Sequence, residues 1–257
     1  MAFVENHSPD FYFQPDWPAP AGVRAAVSLR SGGLSHGPYS GLNLGAHVGD
    51  APSSVQGNRA IWQSLTQCHT PYLNQVHGSH ALEIRHDTTD GCEADAAWTR
   101  DRMVACTVLV ADCLPVLLCD TREGGVAAAH AGWRGLAGHA GVGVLEALRP
   151  LGSPQHMLAW LGPCIGPTAF EVGPEVRQAF MAAQRDAGAC FQATENGKWL
   201  ADLAGLARLR LQAMGIHALY GNDSSSAWCT VLNASRFYSF RRDRVCGRMA
   251  ASIWRVD

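Results

Sequence analysis

The sequence predicts an α+β protein, with mixed β-sheets packed with helices as a layered α/β sandwich, in a single domain over residues 1–257. Three observations predict it. The apolar runs VACTVLVAD, CLPVLLCD and GGVAAAHAGWRG are bracketed by Asp and Gly and are too short for helices, so they read as buried strands. Strands and helices do not alternate cleanly over the first half, which argues against a doubly wound parallel sheet. No repeat with a period of about 20 to 50 residues and no Ser-rich or Pro-rich linker divides the chain.

The elements follow in order. After the turn-rich lead-in FQPDWPAPAG, Val23–Arg30 alternates as a strand and stops at Gly32 and Gly33. The glycine-rich SGGLSHGPYSGLNLGAHVGD is loop. Residues 53–66 carry a Ser cap and apolar residues at helical spacing, and TPYLNQVHG is strand-like. Beyond the three buried runs, HAGVGVLEALRPLG reads as a helix stopped by Pro150 and Gly152, HMLAWLG as a strand and GPCIGP as a tight loop. GPEVRQAFMAAQRDAG is a helix with Pro174 at its first position and Gly188 at its stop. ADLAGLARLRLQAMGI is another, from Asp202 to Gly215, and the strands IHALY and RMAASIWRV close the chain.

Composition removes several function classes. A formal net charge of −2, from 20 basic and 22 acidic side chains, gives no global basic field for nucleic acid. The longest apolar run, Val104 to Cys119, is interrupted by Asp112 and Pro115, so no membrane span is expected. The opening MAFVENHSPDF lacks a charged-then-apolar leader pattern, and the expectation is a cytoplasmic protein. Nine cysteines without a C-x-x-C pair do not make a disulfide framework, and most of them read as small buried hydrophobes. GxxxxGK[ST], GxGxxG and HExxH are all missing, which counts against nucleotide-triphosphate, dinucleotide and zincin chemistry.

Histidine and cysteine beside glycine mark the candidate chemistry, because glycine leaves space for a ligand to approach. They occur in QVHG (His77), ADCLP (Asp112 and Cys113) and AHAGWRG (His130 and Arg134). Spacing alone leaves three readings open. Cys113 and the two histidines are core residues; or they supply the three N/S ligands of a catalytic zinc; or Cys113 is a nucleophile with His130 or His77 as base and Asp112 as orienter. Arginines crowd the C-terminal NASRFYSFRRDRVCGRMA among Phe237, Tyr238 and Phe240, either as a phosphate-recognising and base-stacking surface or as a solvated tail.

The ordered blocks RSGGLSHGPYSGLNLGAHVGD, NQVHG, ADCLPVLL, AAHAGWRG, GPCIGPTAFEVGPEV and FYSFRRDRVCGRMA resemble the laccase-domain family, long labelled multicopper polyphenol oxidases, from about residue 30 to about residue 250. The resemblance implies a single-domain enzyme acting on purine nucleosides. The implied reactions are phosphorolysis of adenosine, inosine, guanosine and methylthioadenosine, and deamination of adenosine. It also implies a metal site of His77, Cys113 and His130 holding zinc, with copper as the alternative ion.

Deamination needs an activated water and a proton donor, for which Asp112, Glu171 and His47 are the candidates. Phosphorolysis needs phosphate held beneath the anomeric carbon, and Arg30, Asn43 and Arg134 are the candidates for phosphate or ribose contacts. Glu171 otherwise reads as a first-turn helix carboxylate. The expected partners are a small purine nucleoside and phosphate, with the chain a monomer or small homo-oligomer.

Three departures from the family pattern, Val110 before ADC, Cys246 before GRM and Phe170 before EVG, bear on substrate preference. The rival activities are a polyphenol oxidase and a metal-free cysteine hydrolase or amidase acting on a cell-wall precursor. A multicopper oxidase requires on the order of ten His and Cys ligands. No HxH pair occurs among the 11 histidines.

Overall fold

The structure is a computed structural model and describes residues 11–256. The first ten residues, most of the segment inspected for a leader pattern, lie outside the described residues. In chain order the elements are β1 (Tyr12–Phe13), β2 (Val23–Ser28), α1 (Pro52–Thr66), β3 (Ala81–Glu83), β4 (Ala96–Thr99), β5 (Cys106–Val110), β6 (Leu114–Asp120), β7 (Val126–Ala131), α2 (Trp133–Ala137), β8 (Met157–Leu161), β9 (Glu171–Val172), α3 (Pro174–Ala183), β10 (Phe191–Ala193), β11 (Trp199–Ala201), α4 (Leu203–Ala213), β12 (Ala218–Gly221), α5 (Phe240–Asp243) and β13 (Met249–Arg255).

These elements form the mixed-sheet α+β sandwich expected from the sequence. A 4-stranded antiparallel sheet runs β1-β2-β13-β5. A 6-stranded sheet runs β12-β8-β6-β7-β4-β3, antiparallel in its centre and parallel in its two outermost pairs. A 3-stranded sheet, β10-β11-β9, lies to the side.

Alternation along β6 explains the stacking. Leu114, Val116 and Leu118 enter the core shared with α2, α3, α4 and the small sheet, whereas Leu117 and Cys119 face the 4-stranded sheet. Both faces of the strand are buried, so its sequence is an unbroken apolar run. Helix α1 covers the outer face of the 4-stranded sheet, burying Trp62 against Leu109, Ala250 and Trp254, with Trp62 Nε1 donating to Ser252 Oγ at 3.0 Å.

Several local expectations are corrected. No serine caps α1; Pro52 opens it, and Gln67 closes it in the left-handed region at φ 54°. The stretch 71–78 is an irregular loop with an isolated bridge from Asn74 to Glu93. Residues 139–152 are not an α-helix. Their helical part is a 3₁₀ segment, Glu146–Leu151, with Pro150 inside it. Glu146 is held instead by Gly143 N, at 2.8 Å, and by a buried ion pair with Arg210, also 2.8 Å. Helix α3 ends at Ala183, and Gly188 falls in the 3₁₀ segment that follows. Asp202 does cap α4, accepting from Gly205 N at 2.9 Å. No helix among the described residues is long and apolar enough to cross a membrane.

Candidate metal centre and cleft

Strand pairing creates two thirds of the centre. β6 and β7 are antiparallel neighbours in which Leu114 faces Ala131 and Pro115 faces His130. Cys113, just before β6, and His130, near the end of β7, therefore emerge at the same end of the sheet. His77 arrives from the 71–78 loop, and the candidate ligand atoms of His77, Cys113 and His130 lie within 4.8 Å of one another.

Asp95 holds this arrangement. It is fully buried immediately before β4, and its carboxylate accepts from the amides of Val76 at 3.2 Å, His77 at 2.9 Å and Gly78 at 2.7 Å. The same carboxylate accepts from Nδ1 of His130 at 2.9 Å, so that when the ring is neutral its proton sits on Nδ1 and Nε2 is the nitrogen that would face a metal. Burial opposes ionisation of Asp95, but the His130 hydrogen bond and the Gly78 and Val76 amides hold its carboxyl below the usual range.

The donor set suits a tetrahedral metal with one open position. Burial alone would push the Cys113 thiol up, yet the facing His130 and His77 rings outweigh it and favour thiolate. Burial likewise disfavours charge on His130, and Cys113 and Asp95 reverse that preference. Space for an ion is kept by Gly132, where a Cβ would stand 3.0 Å from Cys113 Sγ and 3.2 Å from His77 Cδ2. A thiolate and two imidazoles so arranged fit zinc. His77 and Asp112 take left-handed backbone angles, φ 61° and 86°, a strain of the kind that gathers at functional sites.

The trio opens into a cleft of about 350 Å³, the size of a small-molecule site. Trp133, Phe170 and Phe240 line it, with Arg134, Arg241, Arg248, His47 and Asp112. Partial burial and the charges of Arg248 and Arg59 hold His47 below the usual imidazole value, so its ring is neutral at pH 7. Asp112 is fully engaged, accepting from Thr230 Oγ1 at 2.5 Å and from the Arg241 amide at 2.6 Å. It ties α5 to the Cys113 turn.

Glu171, Arg30 and Asn43 are not among the residues lining the cleft. Glu171 lies in β9 rather than in the first turn of a helix and pairs with Lys198 at 2.7 Å on the surface. Arg30 donates to the Ala234 carbonyl at 2.8 Å and packs over Tyr238. Asn43 is buried between two loops. Of the departures from the family pattern, Phe170 lines the cleft, whereas Val110 and Cys246 are buried together beside it.

Asp95 and Gln75 are the residues that sequence reasoning missed. Gln75 bridges to Leu109, accepting its amide at 2.7 Å and donating to its carbonyl at 2.9 Å. It stood inside the QVHG block, two residues before His77, whereas nothing around Asp95 in GCEADAAW distinguished it.

The model for the family described as multi-copper polyphenol oxidoreductase laccase matches residues 24–256. A protein named purine nucleoside phosphorylase in Pseudomonas aeruginosa is 49% identical over 249 residues, covering 96% of this chain and 99% of its own length. The Escherichia coli protein named purine nucleoside phosphorylase YfiH is 45% identical over 246 residues, covering 94% of this chain and 98% of its own. Among solved structures, a Neisseria meningitidis protein superposes with a TM-score of 0.90 at 44% identity, covering 96% of this chain and 99% of that one.

Proposed function

The chain belongs to the multi-copper polyphenol oxidoreductase laccase family, and from that premise we propose that it is a zinc-dependent purine nucleoside phosphorylase that also deaminates adenosine. The observation carrying this reading is the junction of the His77, Cys113 and His130 trio with a cleft lined by aromatic rings and arginines. Its relatives named purine nucleoside phosphorylase, matched over nearly the whole chain, point the same way. His77, Cys113 and His130 would hold the zinc, which when bound would supply a Lewis acid.

The protein's own groups do the rest. Trp133, Phe170 and Phe240 offer faces to a purine. The arginines hold phosphate close to the anomeric carbon as positive charge develops on the ribose. Among the three proton-donor candidates, His47 fits best. It lines the cleft, whereas Asp112 is bound at both oxygens and Glu171 pairs on the surface. Its neutral ring carries one N–H, which would hydrogen-bond the departing base rather than protonate it.

An oxidase reading has less support. His77, Cys113 and His130 are the one such group found among the described residues, and a multicopper oxidase requires a type 1 site and a trinuclear cluster.

The test is to purify the protein without added metal, quantify zinc and copper, and follow adenosine with and without phosphate by chromatography. Adenine and ribose 1-phosphate formed only with phosphate, with about one zinc per chain as a single three-ligand site requires, are the expected result. Inosine formed regardless of phosphate reports the deaminase. Zinc-loaded protein that leaves adenosine intact overturns the reading.

A further inference from the structure

The cleft wall farthest from Cys113 in sequence is built from two segments locked together by one amide. Asn43 Oδ1 accepts from the amides of Arg248 at 2.8 Å and Gly45 at 2.9 Å. Its Nδ2 donates to Asp50 Oδ2 at 2.9 Å and to the Gly45 carbonyl at 3.3 Å. The interlock is close: a Cβ on Gly45 would lie 2.8 Å from Arg248 Cγ, and one on Gly247 would lie 2.9 Å from Asn43 Cβ. Asn43 thereby sets both the backbone that presents Arg248 and the loop 43–50 that presents His47.

The three cleft arginines differ in how far the protein satisfies them. Arg241 reaches back to the Ala169 and Glu171 carbonyls at 3.5 and 3.1 Å, and Arg134 is exposed, with water available to it. Arg248 is half-buried. Among the described residues its hydrogen bonds to protein all leave from Nη1, to the Cys246 and Gly247 carbonyls (3.0 and 3.1 Å) and, at 3.6 Å, Cys246 Sγ, while the guanidinium lies 5.9 Å from the centre of the Phe240 ring. No carboxylate pairs with it among the described residues, and the cleft's one carboxylate, Asp112, is engaged at both oxygens. A half-buried guanidinium with donors left over and no counter-charge is an anion site.

We propose that Arg248, beside the 43–50 loop, forms an oxyanion subsite for inorganic phosphate and that Asn43 is its positioning residue. The assignment rests on the phosphorylase reading above for its biological use, though not for the binding itself. It places phosphate in the cleft that Arg248 and His47 line together with His77 and His130.

The experiment titrates inorganic phosphate alone into the zinc-loaded protein by calorimetry, then measures KM for phosphate and for nucleoside separately. In Arg248→Gln, phosphate affinity falls and its KM rises at least about tenfold, as for loss of a charge-assisted bond, while nucleoside KM stays within about twofold. Asn43→Ala shifts the phosphate KM in the same direction without removing any cleft atom, a split that a merely structural defect would not produce. Should Asn43→Ala fail to fold, Arg248→Gln alone decides. Phosphorolysis whose phosphate KM is unmoved in Arg248→Gln, or moved equally with that of nucleoside, overturns the subsite and leaves the function standing. Phosphate binding lost in Arg248→Gln, in a protein that never cleaves nucleoside, sinks the phosphorylase reading and sustains the subsite.

Discussion

Gly132 stands so close to Cys113 that a single added methyl would lie 3.0 Å from its sulfur. The backbone angle there is ordinary, φ −66°, so space rather than conformation demands glycine. Gly132→Ala is expected to fold and to bind zinc more weakly by about 1–3 kcal/mol, the usual cost of overpacking. Competition with a chromophoric chelator checks this, and an affinity equal to that of the parent protein would show that the neighbours simply give way.

Asp95 serves both imidazole-bearing segments through one carboxylate. Asp95→Asn keeps the shape but turns an NH2 toward donors that need an acceptor, so zinc affinity should drop about 10- to 100-fold. A thermal melt run alongside separates this from global unfolding. The idea fails if zinc is held as tightly as before.

Removing the metal should expose an unusual thiol. Cys113 titrates below an ordinary thiol because His130 and His77 outweigh its burial. In chelator-treated protein, its alkylation rate should therefore change little on lowering the pH from about 8.5 to 7, a range in which a normal thiol loses most of its thiolate. With zinc bound, the same cysteine should be protected. Mass spectrometry of the labelled peptide reads both outcomes, and rates that fall in step with a free thiol would contradict the assignment.

Phe240 lines the cleft while remaining 47% exposed. In the proposed function it stacks on the purine, a contact worth about 1–3 kcal/mol per base. Phe240→Ala should accordingly raise nucleoside KM several-fold and leave phosphate KM near its original value. Steady-state kinetics varying each substrate in turn would reveal an unchanged nucleoside KM, which would place the base elsewhere.

Glu146 and Arg210 form an ion pair with side chains 10% and 6% exposed. Glu146→Gln leaves Arg210 buried without its counter-charge, and the expected loss of stability is about 3–5 kcal/mol in a urea melt. A loss below about 1 kcal/mol would mean that Arg210 finds solvent instead.

Glycine neighbours singled out the three segments of the trio, but spacing alone left core, metal and nucleophile readings open and the resemblance to the laccase-domain family chose among them. What local pattern did carry is that Cys113 and His130 flank apolar strands, whose pairing brings them to one end of the sheet. Asp95 was illegible. Its importance comes from three amides and a ring delivered by a distant loop and strand, and no local pattern records that. The helix expected over 139–152 had apolar spacing at Val144, Leu145 and Leu148, but Ala140 and Gly141 take positive φ, 51° and 80°, which no α-helix accommodates, and only a 3₁₀ segment forms from Glu146. Asn43 was marked as a phosphate or ribose contact from its place in a glycine-rich block. That block is structural at Asn43 and reaches the cleft at His47.

Asp95 grips the peptide amides of residues 76–78 and leaves the side chain of residue 77 unclaimed. The anchor is therefore indifferent to what hangs from it, and position 77 behaves as a socket whose plug can be exchanged. Softer or harder ligands fitted there, Cys or Asp in place of His77, would retune which metal the same scaffold prefers, a ready route for descendants of this fold to change chemistry without being rebuilt.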